Sequence, residues 1–241
     1  MSLTLATVSI DAANLRVVAD FWAGLLRWDV LEQVSGDEVR VAPRRPGFGL
    51  VVVRSDAPKR GHNRIHFDVT TSSPDDQRTT VAQALELGGR HIDIGQTDED
   101  RHVVLADPEG NELCVIEPEN SFLAGTARIG AVNCDGTEAL GHFWSRALQW
   151  PLVWDQDEET AIQSPEGGSK VTWSGPPLTP RQGRDRLRLD IAVDDGTDLA
   201  WEAQQLVDLG ARRAPSRDDS AVDPVLMTDP DGNEFRLYAH A

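Results

Sequence analysis

Phe21-Trp22 recurs as Phe143-Trp144, Trp28 as Trp150, Arg64 and Asp68 as Arg186 and Asp190, and Leu87-Gly88 as Leu209-Gly210. Asp107-Pro108-Glu109-Gly110-Asn111-Glu112 returns as Asp229-Pro230-Asp231-Gly232-Asn233-Glu234. Each pair is separated by the same 122 residues, with no gap across a whole half of the chain. Matches that keep one offset over that length are the mark of a duplication, so whatever the first half folds into, the second repeats. With 241 residues, each copy is large enough to bury a core. The copies are drawn at 1–118 and 126–241, with Glu117 to Gly125 read as the linker. Each half is expected to complete its own cup, so that a monomer suffices, with a homodimer left open.

Within each half the pattern reads βαβββ twice. Residues 3–10 alternate as a strand does, and Leu15, Val18, Ala19, Trp22 and Leu26 then follow helical spacing. Short strands are predicted near 28–34, 38–42 and 48–54, and another from Arg64 to Thr70. Ser73-Pro74-Asp75-Asp76 is a helix start: a serine cap, proline in the first turn, and acids at the positive end of the dipole. That helix is expected to stop at Gly88-Gly89, with strands near 90–94, 101–106 and 112–117 beyond it. The second half repeats this, with helices near 137–148 and 197–209.

Composition excludes several classes. The net charge of −17 divides as 12 basic against 20 acidic residues in 1–122 and 11 against 20 in 123–241, so it is a property of both halves and not of a tail. Such a field repels nucleic acid and anionic membranes, and over the whole surface it mildly favours a cationic ligand. No apolar run approaches the roughly 20 residues a membrane span needs. The N-terminus has no secretory pattern, and Cys114 and Cys134 are too few for a disulfide framework. A cytoplasmic, reduced protein is the expectation.

The doubled βαβββ order, the helix bearing Phe-Trp-x-x-x-Leu-x-Trp and the closing Asp-Pro-x-Gly-Asn-Glu hairpin together resemble the vicinal oxygen chelate superfamily. Its glyoxalase-like members include glyoxalase I, bleomycin-resistance proteins and extradiol dioxygenases. The resemblance implies an α+β fold of four βαβββ modules, paired into two cupped mixed sheets with helices on the outer faces. It also implies a small-molecule site in the cup, and in many members a divalent metal that binds two adjacent substrate oxygens. The metal ligands of such proteins are His, Gln or Glu at three places. One is on the first strand of a domain, one on the fifth, and one three residues after the asparagine of the last hairpin.

In this chain those places are Thr7, His66 and Cys114 in the first half and Ile129, Arg188 and Arg236 in the second. His66 is the one family-position metal ligand that remains. A His and a Cys alone make a poor site unless Asp68 or Glu112 assists. They could also support nucleophilic chemistry, the imidazole lowering the thiol pKa. Two guanidiniums repel a cation, so Arg188 and Arg236 are read as a clamp for a carboxylate or phosphate, the competing reading being that Arg188 pairs with Asp190 or Glu234 in a cross-strand salt bridge. Trp173, in the strand-like run Lys170-Val171-Thr172-Trp173, is read as a platform lining the cup.

The ligand-binding set is therefore Thr7, His66, Cys114, Trp173, Arg188 and Arg236. His62, His91, His102, His142 and His240 show no ligand spacing, and the acidic runs 98–100 and 155–159 read as solvated turns. No resident cofactor is expected. Zinc, iron, manganese or nickel at His66 is the alternative, and would make the protein a lyase, isomerase or dioxygenase. The favoured reading is a protein binding a small, cationic or planar molecule in a cup whose metal site is largely lost, without catalytic residues. A non-catalytic scaffold or regulatory role is the third.

Overall fold

The computed structural model describes residues 3–31, 36–44, 46–97, 99–214 and 224–239, so Asp98 and His240 lie outside the described residues. Four βαβββ modules follow one another. The first comprises β1 (Leu3–Ala12), α1 (Leu15–Leu26), β2 (Asp29–Val30), β3 (Glu38–Ala42) and β4 (Gly49–Arg54). The second has β5 (Ile65–Val69), α2 (Pro74–Glu86), β6 (Arg90–His91), β7 (Val103–Ala106) and β8 (Glu112–Val115). The third has β9 (Ile129–Cys134), α3 (Glu138–Leu148), β10 (Leu152–Gln156), β11 (Glu159–Gln163) and β12 (Lys170–Trp173). The fourth has β13 (Leu187–Val193), α4 (Leu199–Asp208), β14 (Arg212–Arg213), β15 (Val225–Thr228) and β16 (Glu234–Ala239). The order and the helix starts agree with the sequence patterns. Ser73 caps α2, its hydroxyl accepting from the Asp76 N–H at 3.1 Å.

The strands form two mixed, eight-stranded sheets. One runs β14-β15-β16-β13-β1-β4-β3-β2 and the other β10-β11-β12-β9-β5-β8-β7-β6. The first sheet therefore joins modules one and four, and the second joins modules two and three. This corrects the expectation that each half closes its own cup. The seams are antiparallel pairs, β1 with β13 and β5 with β9. The repeat dictates each module's interior, but the choice of partner is made by packing between modules.

That packing is visible at the repeated Phe-Trp pairs. Trp22 of α1 meets Phe67 of β5 edge-to-face, with centroids 5.0 Å apart, and Trp144 of α3 meets Phe235 of β16 in the same way at 5.0 Å. Each helix thus links the sheet of its own module to the opposite sheet, and the helix-bearing faces of both sheets share one continuous core. The hairpin motif has a local cause as well. Asp107 accepts from the N–H groups of Glu109 and Asn111, and Asp229 accepts from those of Asp231 and Asn233. Gly110 (φ +91°) and Gly232 (φ +82°) supply the left-handed turn between them.

One close approach fixes how α3 seats. A Cβ added at Gly141 would lie 2.1 Å from Thr160 Oγ1 and 2.5 Å from Thr160 Cβ on β11. Neither atom is the end of a flexible chain, so helix and strand must separate. Gly141→Ala is expected to cost about 1–3 kcal/mol despite alanine's better helix propensity. A urea melt in which the variant matches or exceeds the parent would show that this contact is not tight.

Candidate functional site

Strand alternation sorts the side chains. On β5, Ile65, Phe67 and Val69 enter the shared core, leaving His66 and Asp68 on the cup face. On β8, Leu113 and Val115 enter the core and Cys114 faces the cup. On β12, Val171 and Trp173 are core residues, and Lys170 and Thr172 face the cup. Trp173 is 1% exposed among core residues, which corrects its assignment to the cup lining. The reason is phase: the run alternates as expected, but its apolar members, Val171 and Trp173, share the helix side. Ile129 likewise lies in the core, because a register shift between Ile129 and Ala131 on β9 separates it from the cup residues that follow.

Because the modules pair crosswise, Thr7, Arg188 and Arg236 share the cup of the first sheet, while His66 and Cys114 belong to the second. The first cup is filled with its own ion pairs. Asp190, completely buried, accepts from Thr7 Oγ1 at 2.8 Å and Ser9 Oγ at 3.2 Å. It also accepts from Arg236 Nε and Nη2, each at 2.6 Å. Arg236 extends to Glu38 at 3.6 Å. Burial opposes its charge, but Asp190 outweighs that and raises its pKa further. Arg188, completely buried, pairs with Asp11 and donates to the Asp185 carbonyl. Arg188 is ion-paired, but with Asp11 in place of the expected Asp190 or Glu234, because Arg236 takes Asp190 and Arg181 takes Glu234. Both guanidiniums are spent on internal partners.

The second cup is different. Its floor has two rows set by strand register. Thr172, Asn133, His66 and Glu112 lie across one, and Lys170, Ala131, Asp68 and Cys114 across the next. His66 Nε2 lies 3.5 Å from Asp68 Oδ1, and a ligand atom from each of His66, Asp68 and Cys114 falls within 4.8 Å of the others. Burial disfavours a charged imidazole there, but Asp68 and Cys114 outweigh it and hold His66 up at about 10. Glu112 is already engaged, by Lys59 at 2.6 Å and by His62 at 3.3 Å. The Thr172 hydroxyl, on a residue 7% exposed, has no hydrogen-bond partner among the described residues. Leu123 packs into a small apolar cluster with Cys114, Val104, Ile116 and Ala131, and Phe122 packs against that cluster.

Asp68 was foreseen only as an assistant, and Asn133, Thr172 and Lys170 were not foreseen. Their signal was present as alternate residues on strands whose other members are apolar. A second group, Glu138, His142 and Asp155, also brings ligand atoms together, but on the exposed side of α3 and away from either cup. Cys134 is buried in the core as a free thiol, where burial raises its pKa. No helix among the described residues is long and apolar enough to cross a membrane.

Two cupped sheets, each built from paired βαβββ modules around a single polar floor, define the class of fold that glyoxalase I exemplifies. A glyoxalase-like domain model matches residues 7–116 and again 130–238, and the chain belongs to that family, with two copies of the domain. Glyoxalase I from Zea mays superposes with a TM-score of 0.69 at 13% identity, over 99% of this chain and 92% of that one. A putative dioxygenase from Bacillus subtilis subsp. subtilis str. 168 gives 0.64 at 13% identity, over 98% and 85%. At these identities the likeness establishes the fold alone. No curated protein sequence matches the chain.

Proposed function

We propose that this protein binds a small organic molecule in the cup of the second sheet, and that the first cup is a structural counterpart closed by its own ion pairs. The observation that carries the reading is the buried Thr172 hydroxyl without a partner, in one row with Asn133 and His66. A hydroxyl taken from water and left unbonded costs about 1–3 kcal/mol, a cost that a ligand can relieve. His66, with 28% of its side chain exposed, keeps the row in reach of a molecule entering from outside. Thr7, Arg188 and Arg236 then act on the fold, and His66, Cys114 and their neighbours act on the ligand.

One observation favours a second reading, a metal-dependent lyase, isomerase or dioxygenase. The imidazole, carboxylate and thiol of His66, Asp68 and Cys114 form a donor set that zinc accepts. These three would hold the ion, which would supply a Lewis acid to substrate oxygens. A catalytic zinc takes three protein donors and keeps its fourth position open, so the number of donors does not separate the two readings. The Thr172 hydroxyl, without a partner among the described residues, is what favours the binding reading.

Elemental analysis and a thermal-shift panel of metabolites and antibiotics separate the two. The purified chain is expected to carry no stoichiometric divalent ion. At ligand near 100 times its Kd, stabilisation by about 2.7 kcal/mol is expected, and weaker stabilisation of His66→Ala and Thr172→Val. About one ion per chain, lost on His66→Ala, would establish the metal reading instead. Equal shifts in parent and both variants would place the ligand outside this cup.

A further inference from the structure

The segment joining the halves does more than connect them. Within it, Leu123 and Phe122 pack on the face of the second sheet that carries Cys114 and Ala131, and Phe122 touches two groups of opposite character. Lys170 Nζ lies 3.9 Å from the Phe122 ring centroid and also donates to the Phe122 carbonyl. Trp154 meets the same ring edge-to-face, with centroids 5.7 Å apart. Leu123, beside it, packs over Cys114 and Ala131. The tip of the segment is otherwise tied to itself: the Leu123 N–H donates to Asn120 Oδ1, and Thr126 Oγ1 donates to the Leu123 carbonyl. Among the described residues, the bond from Lys170 is the hydrogen bond that holds residues 121–125 to the sheet.

The charge balance of this cup is informative. Asp68 faces His66, and Glu112 faces Lys59 and His62. Lys170 has a carbonyl and a ring, and among the described residues no carboxylate within 4 Å. The unneutralised charge of the cup is therefore positive, although the chain carries −17 overall. A ligand's fit is decided by the group it touches at contact distance, because the diffuse surface charge is screened over about 8–10 Å.

Resting on the reading of this cup as a small-molecule site, we propose that its ligand is a planar aromatic carboxylic acid that displaces Phe122. The ring takes the place of the Phe122 ring against Trp154. The carboxylate replaces the Phe122 carbonyl as the acceptor for Lys170, and a more distal polar substituent reaches the Thr172 hydroxyl. The bond from Lys170 and the edge contact with Trp154 each have a counterpart in such a molecule. The exchange of a neutral carbonyl for a carboxylate strengthens the bond to the ammonium. Phe122 thereby competes with the ligand and sets the threshold of its affinity.

The test uses the full chain, 2-naphthoate and its neutral counterpart 2-naphthamide, with binding followed by calorimetry. Phenylalanine positions carry a fluorine label, and the Phe122 resonance is assigned by its loss in Phe122→Leu. Naphthoate is expected to bind at least tenfold more tightly than the amide and to shift the Phe122 resonance toward its solvent-exposed position. Lys170→Met should reduce the preference for the acid to less than twofold, and Phe122→Ala should tighten naphthoate binding three- to tenfold. Equal binding of acid and amide, or a Phe122 resonance that stays in place at saturation, overturns the proposal. So does failure of naphthoate to bind either the parent or Phe122→Ala. Should a different compound still stabilise the parent in a His66-dependent way, the small-molecule site survives and only the ligand class assigned to it is lost.

Discussion

Arg188→Ala is expected to lower the free energy of unfolding by about 3–5 kcal/mol, with no change in what the second cup binds. Arg188 is completely buried, and its partner Asp11 has 2% of its side chain exposed. Removing the guanidinium leaves Asp11 in the interior with, among the described residues, only Arg184, 3.5 Å away and half exposed, to offset its charge. The carbonyl of Asp185 loses its donor in the same step. The size of this effect does not mean that the pair stabilises the fold by that amount. Taking two charges from water costs several kcal/mol each, and Arg188 Nε has no acceptor, so the pair is imperfectly compensated. The double variant Arg188→Met with Asp11→Leu is accordingly expected to recover most of the loss. Urea melts of the parent, both single variants and the double variant give the coupling directly. A loss below about 1 kcal/mol for Arg188→Ala would show that water reaches Asp11, and that this cup is open.

The sequence made some of this visible, and the boundary has physical causes. A constant offset with matched helix, turn and strand patterns is a local property of the chain, so the βαβββ modules and their caps were legible. His66 and Cys114 were located because their places are pinned by short motifs on either side. Which module pairs with which was not legible. Modules that repeat the same Phe-Trp helix and Asp-Pro-x-Gly-Asn hairpin present similar edges, and Trp22 on Phe67 and Trp144 on Phe235 are contacts between modules. Thr7, His66 and Cys114 consequently looked like one site, although Thr7 belongs with Arg188 and Arg236. Phe122 was passed over for another reason. A linker is expected to be polar, and an apolar Phe122-Leu123 pair within one was the available sign that the segment packs on something.

The two cups began as copies and now differ in how their charges are satisfied. In the first, each buried arginine has an acidic partner supplied by the chain, Asp190 for Arg236 and Asp11 for Arg188. In the second, Lys170 has a backbone carbonyl, and Thr172 has no partner among the described residues. The first cup also holds an atom without a partner among the described residues, Arg188 Nε, but its charges are paired within the chain, and an incoming molecule would have to break buried ion pairs before making contacts of its own. A cup with one unpaired cation and one unbonded hydroxyl gains from a guest. On the proposed reading, this asymmetry gives recognition to the second cup and leaves the first a structural part, a division that runs across the sequence halves.

Trp173→Ala tests that division from the side of the core. Were Trp173 a platform in the cup, truncation would weaken ligand binding and leave stability nearly unchanged. Its position predicts the reverse. The side chain is 1% exposed in the core shared by both sheets, where it lines a small cavity with Ile65 of one sheet and Leu189 and Phe235 of the other. An added Cβ at Gly136 would lie 2.7 Å from its ring, so the packing is close on that side. Removing the indole is expected to cost about 3–5 kcal/mol, as the loss of buried area and the cavity left behind act together. Because the site lies where the two sheets share one core, the loss should appear as a lower midpoint of a single transition, without a separate early step for the second sheet. Ligand affinity, measured at a temperature where the variant is still folded, should stay within about twofold of the parent, a difference of under 0.5 kcal/mol. Trp154→Ala, at the cup, should show the opposite pattern: little change in midpoint and a clear loss of binding.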